Sequence, residues 1–117
     1  MTVEQFLTAY LIEYFEDDET VKVATEEPQE RYENLIIFEQ TGSSESNLIT
    51  RATIAVQSFG QTREKAMLLN ERVKEAVLSC IERQEIASVE LITDYNYTDQ
   101  QTKRNRYQAV FEVVYYK

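Results

Sequence analysis

The chain has 117 residues, of which 43% are hydrophobic, and its formal charge is -9 with no histidine. This length and apolar content predict one domain, 1-117, that can bury a sizeable core. The acidic balance argues against a general DNA or RNA binder, because such binding depends on Lys and Arg that neutralise phosphates.

The amino-terminal segment predicts a helix from Thr2 to Phe15, where apolar residues recur at spacings of three and four. Thr2 followed by Gln5 fits a capping box, in which each side chain bonds the other residue's backbone N–H. Four consecutive carboxylates, Glu16 to Glu19, then oppose extension at the negative end of the helix dipole. We therefore expect a helix followed by an acidic turn.

Three strands are predicted next. Val21 to Ala24 reads as a short strand, and Thr25 to Glu33 as a proline-containing loop. Asn34 to Gln40 holds a continuous apolar run that suits a strand covered on both faces. The polar segment Thr41 to Asn47 is expected to be the mobile tip of a hairpin whose second strand is Leu48 to Phe59.

A long helix is predicted after Gly60, capped by Thr62 and running to about Arg83. Its apolar stripe at helical spacing should pack on the sheet. The stripe contains Ala66, Leu69, Val73, Ala76, Val77, Cys80 and Ile81.

Three further apolar residues of this helix lie outside the stripe. Met67 and Leu78 fall on its shoulder and Leu68 almost opposite it, given 3.6 residues per turn. They form either the margin of a broad core or a contact between subunits, and we favour the contact. Phe59 points away from the predicted core face of its strand, which carries Ile54 and Val56, and is assigned to the same surface.

The last two strands are predicted from Ser88 to Tyr97 and from Tyr107 to Tyr116, with the polar connection Thr98 to Arg106 between them. Alternation along the first of these strands predicts one shared face for Val89, Leu91, Thr93, Tyr95 and Tyr97. The order of elements predicts an α+β fold. We expect an antiparallel or mixed sheet of four to five strands, with two helices packed mainly on one face.

Charge is divided unevenly along the chain. Twelve acidic and two basic residues precede Arg51, whereas nine acidic and ten basic residues follow from Arg51 onward. Lys103, Arg104 and Arg106 form a basic cluster in the last connection. This cluster is a solvated loop, an arm that pairs with acidic surface on another subunit, or, least favoured, a nucleic-acid contact.

The residue types exclude several chemistries. The absence of histidine excludes Ser-His-Asp machinery and imidazole metal ligands, and two glycines cannot form a phosphate-binding loop. Asp94, Asn96 and Asp99 have the opening rhythm of a calcium loop, but its sixth position lacks glycine and its twelfth lacks glutamate. Cys80 is expected to be a buried hydrophobe rather than a reactive thiol. We therefore expect no enzyme activity, cofactor or metal.

No apolar run reaches the roughly 18 residues of a membrane span. The first residues also lack the basic region and cleavage site of a secretion signal. The sequence therefore predicts a soluble, intracellular protein without a membrane partner.

Two segments resemble a known family. The stretch Ala52 to Ala66 is a strand that leads through a short polar turn into a helix with alanine in its first turns, and Arg106-Tyr107 opens an alternating final strand. These patterns are similar to the middle and the end of tail terminator proteins of long-tailed bacteriophages and prophages. The first helix and hairpin also suit that family, so the resemblance covers most of the chain.

The resemblance implies a small α+β structural protein without cofactor or reaction. Such proteins assemble into a ring, usually a hexamer, on the head-proximal end of the virion tail, after synthesis in the bacterial cytoplasm. The ring ends polymerisation of the tail tube and offers a surface for head-tail connector proteins, while DNA passes through it without specific binding. Alternatives are a head-tail adaptor or other connector, or a small acidic binding module that is not an enzyme.

Two sets of residues are assigned to this ring as hypotheses. Subunit or partner contacts are assigned to Phe59, Met67, Leu68, Leu78, Lys103, Arg104 and Arg106. An acidic channel wall or partner surface is assigned to part of the set Glu16, Asp17, Asp18, Glu19, Glu26 and Glu27, because negative walls would keep DNA from sticking.

Overall fold

A five-stranded sheet and two helices make up the part of the chain that the computed structural model describes, residues 2–30 and 32–116. The elements in chain order are α1 (Val3–Tyr14), β1 (Val21–Ala24), β2 (Asn34–Ser46), β3 (Ile49–Gly60), α2 (Arg63–Leu78), a 3-10 turn (Ser79–Glu82), β4 (Ile86–Asn96) and β5 (Asn105–Tyr116).

The sheet is mixed, with strand order β1-β2-β3-β5-β4. Strands β1 and β2 are parallel, and the remaining neighbours are antiparallel. Both helices pack against the same face, because residues of each belong to one continuous buried cluster with that face. The predicted α+β class and its arrangement of helices are confirmed.

Both helices begin where side-chain caps were expected. The Gln5 N–H donates to Thr2 Oγ1 at 3.0 Å and the Thr2 N–H donates to Gln5 Oε1 at 2.9 Å, which completes the predicted capping box. At the start of α2 the Lys65 N–H donates to Thr62 Oγ1 at 3.1 Å. These bonds satisfy backbone donors that have no partner within the first turn of a helix.

The core lies between the helices and the central strands. Alternate residues of β3 and β5, among them Ile54, Val56 and Phe111, are fully buried against Leu7, Leu11 and other apolar residues of the helices. On the opposite face Leu35 pairs with Phe59 across β2 and β3. Both are buried, so this part of β2 is covered on both faces, as predicted.

The segment from Thr41 to Asn47 is not the loop that its composition predicted. Strand β2 continues to Ser46, and its register with β3 extends to the pair Ser46 and Ile49. Asn47 adopts a positive φ of 54°, which closes the hairpin in a tight turn. Gly and Ser are poor strand formers, but pairing with β3 overrides that local preference.

The second helix ends earlier than the apolar pattern predicted. The helix stops at Leu78, and a 3-10 turn follows it up to Glu82. The tighter turn rotates Ile81 out of the stripe, so its side chain is 50% exposed, whereas Cys80 stays buried. The assignment of Ile81 to the core is therefore wrong.

A bulge in β4 changes which side chains face the helices. The register with β5 shifts between Leu91 and Thr93, so Val89 and Leu91 face the core but Tyr95 faces the opposite side. Asp94 instead accepts hydrogen bonds from α2. The single alternating face predicted for this strand is therefore wrong beyond Leu91, because a bulge reverses the alternation.

Candidate functional site

The predicted basic cluster lies at the end of the sheet where β3 leads into α2. Lys103 is exposed and has a positive φ of 59°. Arg104 forms an ion pair with Glu27. Arg106 belongs to β5 rather than to the preceding loop, since Gly60 pairs with Asn105 and Phe59 with Arg106.

Arginines and aromatic rings alternate across the face of the sheet that the helices do not cover. The guanidinium of Arg104 lies 4.6 Å from the ring centroid of Phe59, and that of Arg106 lies 4.3 Å from the ring centroid of Tyr97. Tyr97 contacts Tyr95 edge to face at 5.7 Å. We call these five residues the arginine strip.

Hydrogen bonds hold the arginine strip in place. Arg106 Nε donates to the backbone carbonyl of Tyr97 at 2.6 Å. Gln108 Nε2 donates to the hydroxyl of Tyr95 at 2.5 Å, and Gln57 Nε2 donates to Gln108 Oε1 at 3.2 Å. The strip is therefore preorganised, which lowers the entropy cost of a contact.

The predicted contact residue Phe59 does point away from the helices, yet only 7% of it is exposed. Both arginines of the strip lie over its ring, Arg106 at 5.8 Å from the centroid. The guanidinium groups therefore form the surface at this position. A guanidinium that stacks on a ring can still donate hydrogen bonds from its edge.

A shallow cavity of about 750 Å³ lies beside the arginine strip. Its walls come from the loop 25–33, the end of β3 and the loop before β5, and the pair Glu27 and Arg104 joins the first and last of these. Leu35 and Phe59 contribute apolar lining, whereas Glu30, Glu33 and Lys103 contribute charge. Because both acidic and basic side chains line the cavity, its charge selects no single class of ligand.

The acidic turn, Glu16 to Glu19, follows α1 and precedes β1. Asp18 accepts hydrogen bonds from the hydroxyl and the N–H of Thr20 and pairs with Arg72 at 3.1 Å. The pKa of Asp18 is lowered by Thr20 first and by Arg72 second. Glu16, Asp17 and Glu19 are exposed, so the turn is tied to the fold through one carboxylate only.

Ion pairs connect the acidic first half with the basic residues of the second half. Asp18 pairs with Arg72, Glu13 with Arg83 at 3.5 Å, and Glu27 with Arg104. The last pair shows that the basic loop meets an acidic residue of its own chain. Sequence reasoning missed these partners, because nothing in a charge count shows which distant residues the fold brings together.

The other acidic candidates lie in the loop between β1 and β2. Glu26 is exposed, and Glu27 is engaged by Arg104. This loop contributes to the cavity together with Leu35 and Phe59, so it lies over the helix-free face of the sheet. The structure therefore separates Glu26 and Glu27 from the acidic turn rather than joining them in one patch.

Met67, Leu68 and Leu78 form an uncovered apolar shoulder on α2. Their exposed fractions are 40%, 51% and 37%, so none of them is core. Leu68 and Leu78 also line a shallow groove of about 670 Å³ with Leu91 of β4. The interpretation of these residues as the margin of the core is wrong, and their role in a contact remains a prediction.

A polar cluster that sequence reasoning missed joins α2 to β4. Asn70 Nδ2 and Lys74 Nζ each donate to Asp94 Oδ2 at 3.0 Å. Lys74 also pairs with Glu71 at 2.8 Å, and these partners raise the pKa of Lys74, Glu71 contributing first. The period of α2 could have shown Asn70 on the buried stripe, but the bulge that turns Asp94 towards it leaves no sequence signal.

No cluster of three Cys, Asp or Glu residues that could hold a metal ion occurs within residues 2–30 and 32–116. Among the helices of the described chain, none is long and apolar enough to cross a membrane.

Asp99 occupies the position where a calcium loop requires glycine. Its side chain accepts hydrogen bonds from the backbone N–H groups of Gln101 and Thr102.

Cys80 should resist thiol reagents while the protein is folded. Its side chain is fully buried, and burial raises the pKa of the thiol to about 11. Labelling with a disulfide reagent should therefore be at least about a hundredfold slower in buffer than in denaturant, where an ordinary thiol pKa returns. Equal labelling rates in the two conditions would contradict the buried position.

The fold is a small α+β domain that carries an arginine strip, an acidic turn and an uncovered apolar shoulder on α2. No protein-family model matches the chain, and no curated protein matches it either.

Proposed function

We propose that the protein is a non-enzymatic structural subunit of a ring of six copies on the head-proximal end of a phage tail. In this role it ends polymerisation of the tail tube and offers the surface that joins head-tail connector proteins. The virion tail is its final location, and assembly takes place in the bacterial cytoplasm. The proposal rests on the surfaces of the subunit together with the resemblance to tail terminators.

The observation that carries the proposal is the placement of two unlike surfaces on one small subunit. The arginine strip lies towards the β4 edge of the sheet, and the acidic turn lies beside β1 at the other edge. Unlike surfaces on opposite edges favour head-to-tail contacts, which close into rings, whereas a self-complementary patch stops at a dimer. The apolar shoulder of α2 supplies further contact area.

The segments that carry the resemblance take the local structure that it implies. Strand β3 ends at Gly60, and α2 begins at once with the Thr62 cap and Ala66 buried in its first turns. Arg106 and Tyr107 lie at the start of the final strand. This order of elements supports the proposal.

We assign the channel wall to the loop 25–33 in preference to the acidic turn. The loop lies over the helix-free face, where Glu30 and Glu33 line the cavity, and Glu26 of the same loop is exposed. If neighbouring copies meet through the edges of their sheets, the part of this face that the loop covers is free to line the channel. Negative walls would let DNA pass without specific binding.

Negative-stain imaging of the protein mixed with its tail tube protein tests the proposal. We expect tubes of defined length, each with a ring of added density at one end, whereas tube protein alone should form tubes of variable length. Tubes that remain uncapped and variable would overturn the terminator role. A protein that instead binds only the head-side connectors would be an adaptor, and one that stays monomeric and binds neither would be an acidic binding module.

A further inference from the structure

We propose that the arginine strip is a docking surface for the acidic turn of a second copy of this chain. The inference rests on the proposed ring and names the contact that closes it. The strip supplies cationic and aromatic groups, and the turn of the neighbouring copy supplies carboxylates.

The two surfaces lie at the same end of the sheet. Val21, which follows the acidic turn, pairs with Asn34, and the adjacent Leu35 pairs with Phe59 of the strip. On the other side Phe59 pairs with Arg106, and the Tyr97 N–H donates to the Arg106 carbonyl at 2.8 Å. One row of residues therefore crosses the five strands from the turn to the strip.

The row places the two surfaces on opposite edges of the molecule. Four strand spacings of about 4.8 Å separate β1 from β4, which amounts to roughly 19 Å. Strands β1 and β4 are the two outer strands of the sheet. The acidic turn of one copy is therefore too far from the strip of the same copy to contact it, but it can approach the strip of a neighbouring copy. The same contact repeated around an axis gives a closed ring in which all strips lie at one level.

The strip offers groups that suit a carboxylate partner. Tyr95 and Tyr97 are 40% and 42% exposed, and the side chain of Arg104 is 42% exposed in spite of its pair with Glu27. Lys103 adjoins them and has no ion-pair partner among the described residues. Tyrosine and arginine are also the residues that most often carry binding energy at the centre of interfaces.

The acidic turn is the occupant that charge complementarity favours. Glu16, Asp17 and Glu19 project from a short segment that Asp18 anchors through Thr20 and Arg72. Nucleic acid is a poorer occupant, because Glu27 pairs with Arg104 of the strip and Glu30 and Glu33 line the adjoining cavity. The contact joins exposed charges, so it should weaken as ionic strength rises.

A charge exchange between two variants tests this contact. The strip variant carries Lys103→Glu beside the strip, which leaves the stacked arginines intact, and the turn variant carries Glu16→Lys and Glu19→Lys. Each variant alone should self-associate about tenfold or more weakly than the wild type, because like charges then meet at every contact. A mixture of the two should assemble again, because in an alternating ring each altered strip meets an altered turn.

The control variant is Glu39→Lys with Glu85→Lys, which makes the same charge change as the turn variant at exposed positions away from both surfaces. It should assemble like the wild type. Masses are measured by light scattering and by sedimentation, in low salt and in 0.5 M salt at about millimolar protein.

The outcomes separate the contact from the function. If both single variants assemble like the wild type, or the mixture stays dissociated, the contact is overturned even where the protein caps tail tubes. A wild type that remains monomeric throughout also overturns the contact. The strip would be assigned to nucleic acid instead if the wild type binds a single-stranded oligonucleotide, Lys103→Glu abolishes that binding, and the mixture of the two variants does not assemble. Failure of tube capping by itself speaks against the proposed function only.

Discussion

Replacement of Gly60 by alanine should destabilise the protein by about 1–3 kcal/mol, the usual cost of inserting atoms into a packed site. A Cβ at this position would lie 2.5 Å from the backbone nitrogen of Ala66 and 2.8 Å from the backbone carbonyl carbon of Lys65. Neither neighbour is a flexible side-chain end, so relief requires a shift of the first turn of α2. A thermal unfolding curve should show a midpoint lower by about 4–8 °C for each kcal/mol lost.

Gly42 provides the matched control, because an added Cβ there would meet no atom within 4 Å. Its φ is not positive, so alanine fits the backbone and removes the entropy cost that glycine brings to a strand. We expect Gly42→Ala to be neutral or to raise stability by about 0.5–1 kcal/mol. Equal losses for the two variants would show that the close approach of α2 to Gly60 is not what requires glycine there.

Local signals in the sequence were enough to predict the helix starts and the core face of β3. Thr2 and Thr62 were predicted as caps, and both side chains accept the expected backbone hydrogen bonds. Ile54 and Val56 were predicted on one face and are fully buried there. These features succeed because a cap or an alternating strand depends on residues within a few positions.

Features that depend on tertiary pairing could not be predicted in the same way. Thr41 to Ser46 has a loop-like composition but forms strand, because β3 supplies a partner along its whole length. The bulge beyond Leu91 reverses the faces of β4 without any Gly or Pro to mark it. For the candidate site, exposure of Leu68 was predicted from the helical period, whereas the partner of Arg104 was not.

The charge division acquires a physical meaning from the ion pairs. Part of the negative excess of the first half serves the fold itself, since Glu13, Asp18 and Glu27 each hold a basic residue of the second half. Such exposed pairs contribute little stability individually. Glu16, Asp17 and Glu19 of the acidic turn stay exposed, as the contact that we propose requires.

The largest effect of a polar substitution should come from Asp94→Ala, with a loss of about 2–3 kcal/mol. Asn70 is only 1% exposed, its Nδ2 donates to Asp94, and its Oδ1 has no hydrogen-bond partner in the described chain. Removal of the carboxylate leaves the buried amide without any partner, which costs about 1–3 kcal/mol. The partly exposed pair with Lys74 adds less than about 1 kcal/mol. Denaturant unfolding measures the loss.

Glu90→Ala is the control on the same strand, because Glu90 is exposed on the helix-free side, and it should change stability by less than about 0.5 kcal/mol. When Asp94→Ala and Asn70→Ala are combined, the loss of stability should be smaller than the sum of the two single losses, since both substitutions remove the same hydrogen bond. Additive losses would contradict the coupling.

Alkaline pH gives an independent measure of the same cluster. The pKa of Lys74 is raised in the folded protein, by Glu71 first and also by Asp94, while burial opposes the shift. Its contribution to stability is therefore complete below the pKa of an unfolded lysine and is lost as pH rises through the higher folded value. Asp94→Ala brings the pKa of Lys74 in the folded protein closer to that of an unfolded lysine, so the variant should lose less stability than the wild type over that alkaline range. If both proteins lose stability equally there, Asp94 does not hold the Lys74 proton, and the destabilisation must be assigned to Asn70 alone.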